Sequence, residues 1–209
     1  MTKAIIFDLD SCLSAADEVG RDLYRPAFEA IRKANRGVVS EGALDRAFEK
    51  SWRIPFDVIA EEYSFSAPMF EAGWKAFTQI AVTTPMKGYG DLGVLHELPM
   101  AKYLVTSGFR RLQESKVEML GIRPLFREVL IDAIDEAERR HKEGFFRQIL
   151  QSNGLRPTEA LVVGDNADSE IAAGNRLGIP TVQILRPGVT RDERARHHIQ
   201  GLAELKALV

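Results

Sequence analysis

The sequence predicts an α/β fold: a parallel β-sheet with helices on both faces, interrupted by an inserted all-helical domain. Short apolar runs alternate with amphipathic stretches along most of the chain, as buried parallel strands alternate with crossover helices. Residues 15–85 break this alternation and carry helical patterns only. Acidic and hydroxyl residues follow several of the apolar runs, and folds of this class bind ligands at the carboxyl ends of their strands.

The apolar runs are candidate strands. They are short and nearly continuous in Val, Ile, Leu, Phe and Ala, as expected of strands that are covered on both faces. The predicted strands are Ala4–Leu9, Lys102–Thr106, Val129–Ile131, Ala160–Val163 and Thr181–Leu185. Because helical segments connect them, the connections predict parallel pairing within one sheet.

The segments between the later strands have helical patterns. We predict helices over Phe109–Leu120, Lys142–Asn153 and Asp168–Leu177. The last of these ends at Gly178, shortly before Pro180. Glycine after the last helical residue and proline soon afterwards are helix stop signals.

A long block without a convincing strand follows the first strand. Its apolar positions, such as Phe28 and Ile31, recur at helical spacing. The predicted helices are Arg21–Ala34, Glu41–Trp52, Phe56–Tyr63 and Pro68–Ile80. We therefore predict a helical domain over residues 15–85, packed as a small bundle over the sheet. The core domain would consist of residues 1–14 and 86–209.

The composition is that of an ordinary globular protein, with 209 residues, 45% of them hydrophobic and 28% charged. A net charge of −2 argues against nucleic acid or an anionic membrane as the main partner. The single cysteine, Cys12, predicts a reducing, cytoplasmic location without internal disulfides. We expect no membrane span and no signal peptide, because Asp8 and Asp10 interrupt the N-terminal apolar run. The sequence does not indicate an oligomeric state.

Polar residues with complementary chemistry follow the candidate strands. Asp8 ends the first strand, Thr106 ends the second, and Asp165 follows the fourth. Lys142 opens the helix after the third strand. Because the carboxyl ends of parallel strands share one edge of the sheet, these side chains should converge there. The neighbouring carboxylates of Asp8 and Asp10 repel each other, so their spacing calls for a compensating positive charge.

Phosphoryl transfer fits this set of groups. The Asp8 carboxylate can attack phosphorus and form a covalent aspartyl-phosphate. A divalent cation must offset the repulsion between the two anions, and Mg²⁺ prefers oxygen ligands such as Asp8 and Asp165. Lys142 and Thr106 can hold phosphoryl oxygens. Asp10 is then free to protonate the leaving oxygen and later to activate water.

Four motifs resemble those of the haloacid dehalogenase superfamily of Mg²⁺-dependent phosphohydrolases. They occur in the family's order and read IIFDLD, LVTSG, HKEGFF and VVGDNADSEIAAG. The resemblance implies a Rossmann-like core domain, with a helical cap domain where residues 15–85 lie. It also implies Mg²⁺ as the cofactor and a small phosphorylated substrate as the partner.

The resemblance further assigns roles to the motif residues. The implied catalytic residues are Asp8, Asp10, Thr106 and Lys142, the substrate-binding residues are Thr106, Ser107 and Lys142, and the metal ligands are Asp8, Asp10, Asp165 and Glu170. Asp10 would reach the metal through its backbone carbonyl. Asp168 stays open as an alternative to Glu170 for the second acid of the fourth motif.

Four positions depart from the family pattern. Ser11 and Cys12 stand where many relatives have Gly-Thr, and Glu143 stands where a proline often follows the lysine. Glu170 replaces the commoner aspartate. None of these changes removes a chemical group that the mechanism requires.

The predicted function is therefore that of a Mg²⁺-dependent phosphohydrolase. A metal-independent 2-haloacid dehalogenase is an alternative, although its reaction has no leaving oxygen for Asp10 to protonate. A phosphosugar mutase or another phosphotransferase would use the same aspartyl-phosphate and stays open. A receiver-like phosphate-accepting domain would carry its acceptor after the third strand, unlike Asp8. A non-catalytic binding protein should have lost Asp8, Asp10 or Lys142.

Substrate choice would rest with the helical cap. Arg21, Arg25 and Arg53 are candidates for contacting an anionic part of the substrate. The aromatic and other large apolar residues of this region should form its core, and these are Trp52, Phe56, Phe65, Met69, Phe70 and Trp74.

Overall fold

The computed structural model describes residues 1–209 and contains one six-stranded parallel sheet. The strands are β1 (Ala4–Phe7), β2 (Ala101–Gly108), β3 (Glu128–Ala133), β4 (Ala160–Gly164), β5 (Thr181–Ile184) and β6 (His197–Ile199). Their order across the sheet is β3-β2-β1-β4-β5-β6. The chain therefore builds outward from β1 in one direction and then in the other. The predicted α/β class is confirmed.

The sheet has one strand more than the sequence predicted. The additional strand, β6, pairs in parallel with β5 through Val182 and His197 and through Ile184 and Ile199. It is three residues long, and two of them are histidines. It therefore lacks the apolar run by which the other strands were recognised.

The α-helices account for most of the remaining regular structure. They are α1 (Arg25–Ala34), α2 (Glu41–Lys50), α3 (Phe56–Glu62), α4 (Ala67–Phe77), α5 (Val94–Glu97), α6 (Arg110–Met119), α7 (His141–Ser152) and α8 (Ala172–Arg176). A π-helical turn, Ala167–Ile171, precedes α8, and a 3₁₀ helix, Leu202–Ala207, lies near the C-terminus. None of the helices combines the length and the hydropathy needed to cross a bilayer.

Both faces of the sheet are covered, because alternate residues of each strand point to opposite sides. On one face, Ile5 and Phe7 of β1 belong to a core that includes α5, α6 and the C-terminal 3₁₀ helix. On the other face, Ala4 and Ile6 pack with α7 and α8. The burial of successive residues on opposite faces explains why β1 is apolar throughout.

The cap consists of helices α1 to α4, which are inserted between β1 and β2. Its core is aromatic: the rings of Tyr24 and Trp52 stack with centroids 4.2 Å apart, as do those of Phe28 and Phe48. The residues predicted for this core all belong to it, with Phe56 and Met69 buried and the others partly buried. The inserted helical cap is thus present as expected.

Phe109 of the core packs against the cap, and we call this packing the seating of the cap. Phe109 directly follows β2 and stacks on Phe77 of α4, with ring centroids 5.3 Å apart and an angle of 8° between the rings. Trp74, also on α4, meets Phe109 edge-on at 5.2 Å. Leu112 and Ile134 of the core join the same apolar cluster. The cap therefore packs against the end of β2, close to Thr106.

Candidate active site

Asp8 lies in the middle of the sheet, directly after β1. Its backbone N–H donates to the Val163 carbonyl of β4 at 2.9 Å, so the pairing with β4 continues to the residue that carries the carboxylate. The neighbours of β1 are β2 on one side and β4 on the other. This is the point where the strand order reverses, which is where open α/β sheets bind ligands. The side chain is buried.

Lys142 meets Asp8 from the first turn of α7. Its Nζ donates to Asp8 Oδ1 at 2.6 Å and also to a carboxylate oxygen of Glu170. All three side chains are buried. Burial alone would lower the pKa of Lys142, but the two carboxylates outweigh it and raise that pKa above its ordinary range. Lys142 is therefore held as a cation at this position.

Three carboxylates converge around this lysine. Ligand oxygens of Asp8, Asp165 and Glu170 lie within 4.8 Å of one another. Burial, and then the charge of Glu170, raise the pKa of Asp165 to about 7 and hold the pKa of Asp8 well above its usual range. When all three carboxyl groups are ionised, they carry more negative charge than one lysine neutralises. A hard divalent cation with oxygen ligands fits this donor set.

Glu170 reaches the cluster because of a distinctive local backbone. It lies on the π-helical turn Ala167–Ile171, a geometry that is frequent at functional sites. The end of β4 lies tightly beneath it, because a Cβ placed on Gly164 would come within 2.6 Å of Glu170 Cγ. Asp168 instead points outward and pairs with Arg194 at 2.8 Å. The geometry therefore favours Glu170 over Asp168 as the second acid.

Asp10 is held apart from this cluster by two residues of α6. Lys116 Nζ donates to both carboxylate oxygens of Asp10, at 2.8 and 3.0 Å, and Gln113 Nε2 donates to one of them at 3.2 Å. Lys116 is only 2% exposed. Burial alone would lower its pKa, but Asp10 outweighs burial and raises it. The two aspartates thus have different cationic partners, Lys142 and Lys116.

Sequence reasoning missed Lys116 and Gln113. Both lie on the helix that the sequence predicted after β2, and their spacing of three residues places them on one face. The one available signal was a lysine and a glutamine on the same side as the apolar Leu112 and Val117. Such polar residues on a buried helical face need partners.

Thr106 and Ser107 end β2 beside the aspartates. Thr106 is buried, and its hydroxyl donates to Gln113 Oε1 at 3.3 Å. Gln113 therefore links Thr106 to Asp10. Ser107 donates its hydroxyl to Asp132 of β3 at 3.1 Å. The structure thus gathers all the residues predicted for the site at one edge of the sheet.

The cap arginines have other partners than the site. Arg21 pairs with Glu49 and Arg25 with Asp22, in exposed positions. Arg53 Nη1 donates to the Gly188 carbonyl at 2.8 Å, and so contacts the core. None of the three contacts the acidic cluster.

Cys12 lies in the same loop as the aspartates and is completely buried. Its thiol is directed at the Val163 carbonyl, with a distance of 3.7 Å between sulfur and oxygen. Burial, and then the charge of Asp8, raise the pKa of the thiol well above its usual value. The Cys12 carbonyl accepts two hydrogen bonds from Arg186, at 3.0 and 3.1 Å. The cysteine is therefore a packing residue and not a reactive thiolate.

Two curated relatives align with the whole chain. The glyceraldehyde 3-phosphate phosphatase of Methanocaldococcus jannaschii is 27% identical over 231 residues, which cover 100% of this chain and 97% of that protein. The ribulose-1,5-bisphosphate 5-phosphatase of Halopiger xanaduensis is 23% identical over 241 residues, which cover 100% of both.

A known structure matches the fold, and a family model matches most of the sequence. A HAD phosphatase from Thermococcus onnurineus superposes with a TM-score of 0.66 at 20% identity, covering 99% of this chain and 97% of that one. The model of haloacid dehalogenase-like hydrolases matches residues 2–178, which contain all four motifs. The resemblance noted in the sequence is confirmed, and the chain belongs to the haloacid dehalogenase-like hydrolase family.

Proposed function

We propose that this hydrolase removes phosphate from a small phosphorylated metabolite, through a covalent aspartyl-phosphate on Asp8 and with Mg²⁺ as cofactor. One observation carries the proposal. Asp8 lies in a cluster of carboxylates around Lys142, while Asp10 is held separately by Lys116. A nucleophile and an acid–base group need such different surroundings, because one must reach phosphorus and the other must exchange a proton.

In the first half of the reaction, a carboxylate oxygen of Asp8 attacks phosphorus and the bond between phosphorus and the ester oxygen breaks. Asp10, which is protonated at the start of the cycle, donates its proton to that oxygen, so the alcohol leaves in its neutral form and Asp10 becomes the carboxylate that pairs with Lys116 in the structure. Lys142 and Thr106 contact the phosphoryl oxygens and stabilise their charge. Ser107, the residue after Thr106, would contact the same oxygens.

In the second half, a water molecule attacks phosphorus and Asp10 accepts the proton that the water loses. The bond between phosphorus and Asp8 breaks, inorganic phosphate leaves, and both aspartates return to their starting forms. Asp8, Asp165, Glu170 and the backbone carbonyl of Asp10 would hold the metal. When bound, Mg²⁺ supplies the positive charge that lets a carboxylate approach a phosphate dianion.

For the substrate, we propose a short sugar phosphate with a single phosphate group. Support comes from the two relatives, which are named for a three-carbon aldehyde phosphate and a five-carbon ketose bisphosphate. Neither Arg21 nor Arg25 contacts the acidic cluster, since both lie in exposed positions beside cap carboxylates, so neither is placed beside the cluster to bind a second phosphate. We therefore favour the monophosphate over the bisphosphate.

We also propose the boundaries and roles of the two domains. Residues 15–85 would act as the cap domain that selects the substrate, and residues 1–14 and 86–209 as the catalytic domain. The cytoplasm is the proposed location, since Cys12 is the only cysteine.

The proposed function is tested by measuring phosphate release from a panel of phosphate esters, with Mg²⁺ and with excess chelator. We expect turnover with Mg²⁺ and none with chelator, because three clustered carboxylates would otherwise repel the substrate. Glyceraldehyde 3-phosphate should be a better substrate than ribulose 1,5-bisphosphate. Restoration of activity by added Mg²⁺ is the control for damage by the chelator.

The same panel includes a 2-haloacid, so that it tests the dehalogenase alternative. Halide release that persists in chelator, without phosphate release from any ester, would replace the proposed function with that alternative. Phosphate transfer to a second sugar instead of water would indicate a phosphotransferase.

Gly164→Ala should weaken the metal site although it replaces none of the proposed ligands. The added Cβ would lie 2.6 to 2.8 Å from atoms of Glu170, so this carboxylate must move. Displacing a group that orients ligands typically lowers metal affinity by roughly 10- to 100-fold, and we expect a comparable rise in the Mg²⁺ concentration for half-maximal activity. Gly90→Ala is the matched control, because no atom lies within 4 Å of its added Cβ. An unchanged Mg²⁺ requirement in Gly164→Ala would contradict the role of Glu170.

A further inference from the structure

Asp132 lies at the end of β3 and hydrogen-bonds to two parts of the candidate site. It was not among the residues that the sequence predicted for the site. One of its oxygens accepts the Ser107 hydroxyl at 3.1 Å. The other accepts the backbone N–H of His141 at 3.1 Å. His141 precedes Lys142 and has a φ of 53°, a conformation that is unfavourable for residues other than glycine. The hydrogen bond from Asp132 thus helps to hold the backbone from which Lys142 extends.

Arg139 extends this arrangement to the cap. Its Nη2 donates to Asp132 at 2.8 Å, and its Nη1 donates to Asp57 Oδ2 on cap helix α3 at 3.0 Å. Asp132 is 2% exposed, while Arg139 and Asp57 are 22% and 33% exposed. The planar guanidinium is suited to binding two carboxylates in fixed directions.

This contact differs from all others between the cap and the core. It is the only ion pair between residues 15–85 and the rest of the chain. The remaining interface is apolar around Phe109, and its other polar contacts are hydrogen bonds such as that from Arg53 to the Gly188 carbonyl. Asp57 has no second polar partner, since its Oδ1 is buried without a hydrogen bond. If the cap moves away from the core, Asp57 loses its partner while Arg139 keeps Asp132.

We propose that Arg139 is a positioning residue that couples the seating of the cap to the placement of Lys142. Asp57 contacts Arg139 only when the cap is seated. Arg139 then holds Asp132, and Asp132 holds both Ser107 and the backbone at His141. A substrate that engages the cap would in this way favour the arrangement that binds its phosphate. The kinetic consequence rests on the proposed function, whereas the coupling itself does not.

The coupling is tested first without measuring activity. In a Trp52→Phe background, Trp74 is the only tryptophan, and its contact with Phe109 makes its fluorescence a measure of cap seating. We expect Asp57→Asn and Arg139→Gln to shift the Trp74 emission to longer wavelength and to speed amide hydrogen exchange in α3. Asp45→Asn is the matched control, because Asp45 pairs with Arg32 within the cap.

The kinetic measurement compares glyceraldehyde 3-phosphate with para-nitrophenyl phosphate. We expect the hydrolysis of this second ester not to depend on contacts with the cap. Asp57→Asn should lower kcat/KM on the order of fivefold for the first substrate and leave the second nearly unchanged. Arg139→Gln should lower kcat for both, because it also affects Asp132. The double variant should resemble Arg139→Gln alone, and Arg139→Lys should recover part of the loss.

The outcomes separate this proposal from the proposed function. Unchanged Trp74 emission and α3 exchange in both variants would overturn the coupling, as would effects that multiply in the double variant. If no phosphate ester is hydrolysed, the proposed function fails, and the fluorescence and exchange measurements still decide whether Arg139 couples cap and core.

Discussion

Asp8→Asn is expected to abolish phosphate release from every substrate. The amide keeps the shape of the side chain but cannot attack phosphorus, so no aspartyl-phosphate forms. Lys142 keeps its contact with Glu170, so the variant should fold, as circular dichroism would verify. Measurable turnover with any ester in purified Asp8→Asn would rule out the covalent mechanism.

Asp10→Asn should lose activity in a different way from Asp8→Asn. The nucleophile remains, but the proton carrier is lost, which typically costs ~10² to 10⁴ in rate. The loss should be largest for alkyl phosphates and smaller for a nitrophenyl ester, whose leaving group departs without a proton. Hydrolysis of the intermediate also slows, so mass spectrometry should detect phosphate on Asp8. Equal losses with both leaving groups, and no trapped intermediate, would contradict the separate roles of the two aspartates.

Lys142→Met should reduce both activity and stability. Removing one group that stabilises transition-state charge typically costs ~10² to 10³ in kcat. The change also leaves the buried carboxylates Asp8 and Glu170 without their cation. Removing one partner of a buried ion pair costs about 3–5 kcal/mol in the free energy of unfolding, which thermal denaturation in chelator would measure.

Added Mg²⁺ should restore part of the lost stability but little of the activity. The ion binds the native cluster and so stabilises it, but it cannot take over the lysine's contact with the phosphoryl group. Lys102→Met is a matched control, because Lys102 is half-buried and its ammonium group donates hydrogen bonds to the backbone carbonyls of Leu98 and Met100 but to no carboxylate. If Lys142→Met is as stable as the wild type in chelator, the cluster does not depend on this lysine for charge balance.

The sequence was sufficient to predict the main architecture, because buried strands have a recognisable pattern of apolar residues. The strand β1 is covered on both faces, and so it reads as an unbroken apolar run. β6 lies at the edge of the sheet and needs no such run, so its histidines concealed it. The π-helical turn before α8 was also missed, because periodicity does not distinguish it from an ordinary helix start.

The candidate site likewise contains residues that the sequence could reveal and residues that it could not. Asp8, Thr106, Lys142 and Asp165 could be found because each stands next to a strand end or helix start that the sequence reveals. Lys116, Gln113, Asp132 and Arg139 could not, because their importance depends on which side chains the folded chain brings opposite them. A lysine in α6 and an arginine after β3 look like surface residues until Asp10 and Asp57 are placed beside them.

Because Cys12 is buried, its reaction with a thiol reagent can report the opening of the loop in which it lies. The thiol is sealed against β4, and Arg186 holds the adjacent carbonyl from the other side. A thiol reagent can react only when the segment carrying both aspartates opens, so the modification rate measures how often it opens. Because this is the only cysteine, the signal comes from one place. Ligands that close the site should slow the modification, which would reveal binding even by compounds that are never turned over.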